Sequence, residues 1–219
     1  MAPVGLGSVR RRIAEACSRS GRPAGDVTLV AVSKHRSDRA VLDAYDDGQR
    51  VFGENREQEL RARIDGGLPG DIEWHFIGPL QSRKVSFVGA HVDLLQSLDR
   101  MKIARRWAVA STAPVLIEFN LAAEPQKSGF DPADAPRVID ELLALGLSVQ
   151  GVMAIPPVAT SAEDSRAWFR NLRSIFDRYR DRYDGIVTCS MGMTNDFEVA
   201  IEEGATMVRV GRAIFDGTT

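Results

Sequence analysis

The chain has 219 residues, 44% hydrophobic and 26% charged, with a formal net charge of -2, the proportions of one folded domain rather than of a disordered or broadly nucleic-acid-binding chain. No run approaches the roughly 18 apolar residues of a spanning helix, and the first residues lack the order of a secretory signal, so a cytoplasmic protein without a membrane partner is expected. Cys17 and Cys189, with only His35, His75 and His91 beside them, suggest neither a disulfide framework nor a metal site.

In chain order, an amphipathic helix at about Ser8–Ser20 comes first, with Arg10, Arg11 and Arg12 on its wet side. Short apolar or β-branched runs follow at Val27–Ser33, Arg50–Gly53, Glu73–Gly78, His91–Gln96, Val115–Asn120, Ser148–Ile155, Gly185–Ser190 and Thr206–Val210. Between them the helical period recurs at Asp38–Asp47, Arg56–Ile64, Ser82–Val88, Asp99–Ala110, Pro132–Leu145, Ser161–Tyr183 and Asn195–Glu203. Alternation of this kind makes a parallel sheet from βα units. Eight such units in one α/β domain predict a single TIM (β/α)8 barrel with an extra N-terminal helix, spanning the whole chain. The alternative is a doubly wound open sheet, which more often uses five or six strands and a Gly-rich first turn; the first turn here, S-K-H-R-S, has no glycine. Gly48, Gly146 and Gly204 fall where helices should hand over to strands, and Gly66–Gly70, G-G-L-P-G, reads as a loop rather than a domain boundary.

A barrel of this type gathers its reactive groups at the C-terminal ends of its strands. The exits offer Lys34 and His35, then Glu54-Asn55-Arg56, the segment from His75 to Lys84, Gln96-Ser97, and Asn120. Met153 to Pro157, S-M-G-M-T-N-D from Ser190 to Asp196, and R-V-G-R from Arg209 to Arg212 complete the ring. A lysine leaving a strand can simply snorkel to water, and a lone His75 is more often structural than catalytic. The last two exits are where barrels commonly hold phosphate. Gly192 lets the backbone turn closely, Thr194 or Asn195 can begin the next helix with free N–H groups, and Gly211 and Arg212 supply further N–H groups. The bland alternative is a helix cap and a turn with no ligand. Lys34 in a partly dry pocket beside an anion nest suits a phosphorylated aldehyde held as a Schiff base, such as pyridoxal 5′-phosphate.

The segments V-A-V-S-K-H, F-G-E-N-R-E-Q-E, W-H-F-I-G-P-L-Q-S-R-K, Q-K-S-G-F, G-V-M-A-I-P-P, S-M-G-M-T-N-D-F and V-R-V-G-R-A-I-F run in order over nearly the whole chain. Together they resemble the pyridoxal phosphate homeostasis protein family, itself similar to the barrel domain of alanine racemase. The resemblance implies a monomeric or weakly associating barrel that carries pyridoxal 5′-phosphate on Lys34 without established turnover. It also implies a role in balancing vitamin B6 and amino- and keto-acid pools, with pyridoxal-phosphate-dependent apoenzymes as candidate partners. Carried over, Lys34 takes the aldehyde and Asn55 lies beside the cofactor, while Ser190, Met193, Thr194, Gly211 and Arg212 surround the phosphate. Arg209 points into the same site, toward either the ring nitrogen or the phosphate; no acidic partner is evident. Thr194 stands where serine is usual and Arg212 where a small hydroxyl residue is common, which puts the Arg212 side chain's role in doubt but not its N–H. The F-D-G-T-T ending is shorter than in many relatives.

A racemase or decarboxylase would need a second acid/base on the opposite face of the ring. Tyr45, Tyr179 and Tyr183 fall in predicted outer helices, where they pack rather than catalyse, and after Phe215 only four residues remain for an added domain. The alternating charges of Arg170–Arg182 read as the solvated face of a helix rather than as an RNA-binding surface.

Overall fold

The computed structural model describes residues 5–216, so the extreme N-terminus weighed as a signal and the end of the F-D-G-T-T tail lie outside the described residues. Eight parallel strands close into a barrel in sequence order. They are β1 (Thr28–Val32), β2 (Val51–Glu54), β3 (Glu73–Phe76), β4 (Leu94–Leu98), β5 (Val115–Phe119), β6 (Val149–Ala154), β7 (Thr188–Ser190) and β8 (Met207–Val210). Around them run α1 (Leu6–Arg19), α2 (Asp38–Asp46), α3 (Glu57–Asp65), α4 (Val85–Gly89), α5 (Met101–Ala110), α6 (Ala135–Ala144), α7 (Arg166–Arg180), α8 (Phe197–Glu202) and α9 (Arg212–Phe215). This is the expected barrel, and the open-sheet alternative falls with the pairing of β1 to β8.

Burial explains why the chain folds this way. Outward-facing strand residues such as Ala31, Phe52, Trp74 and Leu95 pack with Leu60, Trp107, Leu142 and Phe169 from the helices into one core, each large side chain contributing roughly 1.5–3 kcal/mol of burial. Inward-facing residues form a second, smaller cluster of Val30, Leu94, Leu116, Met153 and Met207 that plugs the barrel. Gly48, Gly146 and Gly204 all take positive φ (82°, 78° and 90°), as helix ends need.

The extra helix closes the ring. After β8 the described residues form α9, four residues long, which the helical period does not predict. α1 packs against α8 and α9, with a two-pronged Arg12–Glu198 pair at 2.8 and 2.9 Å, and so covers the gap that a full eighth helix would fill.

Several boundaries shift by one to five residues from expectation, the seventh strand for one beginning at Thr188 rather than Gly185, and two of the shifts have a visible cause. The fourth strand begins at Leu94, not His91, because His91 Nδ1 bonds the Phe87 carbonyl at 2.8 Å and Asp93 accepts the Trp74 N–H at 2.7 Å, holding both residues in a loop. The helix after the seventh strand begins at Phe197 rather than Asn195, because Asp196 Oδ1 turns back to accept the Met193 N–H at 2.7 Å.

Candidate functional site

Lys34 leaves β1 in a four-residue turn closed by the Arg36 N–H to Ser33 carbonyl bond of 3.0 Å. It is exposed, not in a partly dry pocket, and among the described residues its Nζ has no hydrogen-bond or ion-pair partner. Next to it His35 sits at φ 59°, a conformation that disfavours side chains, with Nδ1 held at 2.9 Å by Glu59. Asn55, at the exit of the neighbouring β2, is partly buried and its Oδ1 is sealed from solvent without a donor.

On the other side of β1, β7 and β8 bring their exits together. Gly192 turns at φ 89° with its α-carbon pressed on α8: a Cβ there would lie 2.5 Å from Ala200 Cβ. Gly211 presses on β1, where a Cβ would stand 3.0 Å from the Val32 carbonyl oxygen. These close approaches hold the β7 and β8 exits against α8 and β1, with the Thr194 hydroxyl unpartnered beside them. Met193, by contrast, already donates its N–H to Asp196, so that N–H is not available to an anion in this arrangement. The exposed Arg212 reaches Asn195 at 3.5 Å, and its backbone begins α9.

Ser190 and Arg209 lie deeper, inside the barrel. Arg209 donates to Ser190 Oγ at 2.6 Å and to the Ala154 carbonyl at 3.1 Å. Ser190 donates to Gln96 Oε1 at 2.7 Å, and Gln96 Nε2 reaches His75 Nδ1 at 2.9 Å. Burial pulls Arg209 down to about 10, against the opposing charges of Glu118 and Asp196. Burial also takes His75 to about 4, so this histidine is a neutral member of the chain.

The acidic group missing from the sequence expectation is Glu118. It shares the inward face of β5 with Leu116 and lines a cavity of about 180 Å³ at the mouth with Ile77, Asn120, Lys127 and Ile155. Burial first, then the negative charge of Asp99, pushes its carboxyl up to about 7, with Arg209 and Arg100 opposing. The V-L-I-E-F alternation carried the signal, since a glutamate two residues from a core leucine on a strand faces the same way.

The tyrosines stay away from the mouth. Tyr45 and Tyr183 donate to Asp71 and Asp140 at 2.6 and 2.5 Å, and Tyr179 is buried in the outer core. Four of the five arginines of α7 are likewise occupied, Arg166 pairing with Glu163, Glu202 and Glu203, Arg170 with Glu203, and Arg173 and Arg180 with Asp177. The described residues contain no cluster able to hold a metal ion and no helix long and apolar enough to cross a membrane.

Comparison with known proteins agrees with the geometry. The family model described as alanine racemase, N-terminal domain, matches residues 4–218. A pyridoxal phosphate homeostasis protein of Aquifex aeolicus is 39% identical over 217 residues, covering 96% of this chain and 95% of that protein. The structure of PipY from Synechococcus elongatus without PLP superimposes with a TM-score of 0.82 at 33% identity, over 94% of this chain and 99% of that one. PipY with PLP bound gives 0.79 at 33% identity, over 93% and 99%.

Proposed function

This chain belongs to the alanine racemase N-terminal domain family, among the pyridoxal phosphate homeostasis proteins, and on that premise we propose that it holds pyridoxal 5′-phosphate covalently on Lys34 at the barrel mouth. The observation that carries the reading is a juxtaposition: a lysine without a partner at the exit of β1, beside the glycine-lined backbone at the exits of β7 and β8. The residues present fit the group. Asn55 Oδ1 is a buried acceptor awaiting a donor, and Gly192 and Gly211 let the backbone of the β7 and β8 exits pack where a side chain would run into α8 and β1. When bound, the cofactor supplies an aldehyde for capture by an amine and a ring that can accept electrons.

The chain's own residues divide the work. Lys34 Nζ supplies the covalent anchor, Asn55 would orient the group from the β2 side, and Thr194 Oγ1 and the backbone at Gly211 and Arg212 would hold its phosphate. Ser190 fixes Arg209, which would hold a cation inside the barrel beside the bound group, at either the ring nitrogen or the phosphate. Were Arg209 to meet the ring nitrogen, that nitrogen would stay unprotonated and the electron sink would be weakened, as suits a carrier rather than a racemase or decarboxylase. The absence of a tyrosine from the described mouth points the same way. As a carrier, the protein serves vitamin B6 and amino- and keto-acid homeostasis in the cytoplasm, with pyridoxal-phosphate-dependent apoenzymes as recipients. Both cysteines are free and buried, in keeping with a reducing compartment.

The test is a near-visible absorption titration with pyridoxal 5′-phosphate. The parent protein should develop a saturable band that Lys34→Ala lacks while its far-UV circular dichroism is unchanged. A band that survives in Lys34→Ala would remove Lys34 from the anchor position.

A further inference from the structure

The turn that presents Lys34 is held from beneath by a buried cation that takes no part in the site described above. Arg63, on α3, is only 6% exposed. One nitrogen, Nη2, donates to both carbonyls that flank the turn, Ser33 at 3.1 Å and Arg36 at 2.6 Å. Nε donates to Glu54 Oε1 at 3.1 Å, and Nη1 pairs with Asp38 at the start of α2. Ser33 Oγ donates to the same Glu54 oxygen at 2.8 Å. A single guanidinium thus ties together both ends of the lysine turn, the end of β2 and the first turn of α2.

The far side of Glu54 is fixed as well. Glu54 Oε2 and Glu59 Oε2 are both buried with no donor. The two carboxyls interact, and one proton shared between them would satisfy both oxygens; burial and this neighbour hold Glu54 near 7 against the lowering by Ser33 and Arg63. Glu59 in turn holds His35 Nδ1 at 2.9 Å. The left-handed conformation of His35, unfavourable for a non-glycine residue, is therefore braced from two directions.

Such bracing matters for a lysine. The side chain has four rotatable carbons, and covalent capture needs Nζ within reach of one carbon in one orientation, so a wandering Cα would dilute every productive rotamer. We infer that Arg63 is a positioning residue for Lys34: its planar fork fixes the Ser33–Arg36 turn so that Nζ meets the bound aldehyde. This rests on Lys34 being the anchor. In the step served, Nζ adds to the aldehyde carbon, a C=N bond replaces the C=O bond, and the oxygen leaves as water with the two protons of the amine. Lysine cannot replace Arg63, because an ammonium is a point donor without the fork that spans Glu54, Asp38 and two carbonyls.

The experiment compares two ligands on the full chain. Pyridoxal 5′-phosphate reports cradle and capture together, through its absorption band. Pyridoxine 5′-phosphate has an alcohol in place of the aldehyde and reports the cradle alone, by calorimetry. Arg63→Lys should weaken the first at least tenfold and leave the second within twofold. Equal weakening of both ligands, or of neither, overturns the inference. Should Arg63→Lys fail to fold by circular dichroism, Asp38→Asn decides, since it loosens Arg63 from the exposed side: a selective loss of about threefold for the aldehyde ligand is expected, and an unselective or absent effect overturns the inference. A parent protein that gives no band overturns the Lys34 anchor and this inference together; a parent with the band and an unselective variant overturns this one alone.

Discussion

Replacing Glu118 by glutamine should stabilise the cofactor-free protein, and by an amount that depends on pH. The carboxyl passes from an ordinary value of 4.5 in the unfolded chain to about 7 at the barrel mouth. Between those limits the folded chain binds the extra proton, so stability falls as pH rises, by about 1.4 kcal/mol per pH unit. The contribution is fully present below pH 4.5 and gone above about pH 7, a total of about 3 kcal/mol. Glutamine keeps the shape of the neutral acid and never ionises. At pH 8 Glu118→Gln should therefore be more stable than the parent by up to about 3 kcal/mol, or roughly 6–12 °C for a domain of this size. At pH 4.5 the two should agree within about 0.5 kcal/mol. The attraction of Arg209 already opposes the rise and is contained in it. Guanidinium unfolding followed by far-UV circular dichroism across this pH range measures the difference. A constant gap, or a variant less stable at pH 8, would refute the picture of a carboxyl desolvated inside the mouth.

His75 should shape the acid side. Its neutral form is favoured in the fold, at about 4 against 6.5 unfolded, so between those pH values the unfolded chain binds the extra proton and stability falls as pH falls. His75→Gln should lack this loss of about 3 kcal/mol, read as a shift of the guanidinium midpoint relative to the parent between pH 6.5 and pH 4; parallel curves would show that the imidazole is not desolvated. Gly192→Ala adds a Cβ 2.5 Å from Ala200 at φ 89°, combining left-handed strain with overpacking for about 2–4 kcal/mol. It should also displace the β7 exit and weaken pyridoxine 5′-phosphate binding; calorimetry showing parental affinity would take Gly192 out of the phosphate cradle.

Much of this architecture is legible in the residues. Eight strands were countable because outward-facing apolar residues recur between helices of clear period, and the glycines at 48, 146 and 204 mark helix ends by a conformation few other residues adopt. Lys34 is conspicuous because a cation at the end of T-L-V-A-V has no packing purpose. The fourth strand was misplaced because His91 and Val92 read as part of a β-branched run, whereas the fold spends His91 on the Phe87 carbonyl. Gln96 and Ser97 read as exit residues for the same reason; both lie within β4, and Gln96 points inward to Ser190. The interior charges were harder to read. Arg63 lies three residues after buried Leu60, on the same helix face, but helical spacing alone cannot tell a buried arginine from a snorkelling one. Its partners Ser33, Arg36, Asp38 and Glu54 come from three other segments, and only closure of the barrel brings them together.

The most direct test of the central claim is to load the protein with pyridoxal 5′-phosphate, reduce it with borohydride, digest it and map the modified peptide by mass spectrometry. The account predicts a single stable adduct on the peptide that contains Lys34. An adduct on Lys127, Lys84 or Lys102 instead, or no adduct at all, would contradict it.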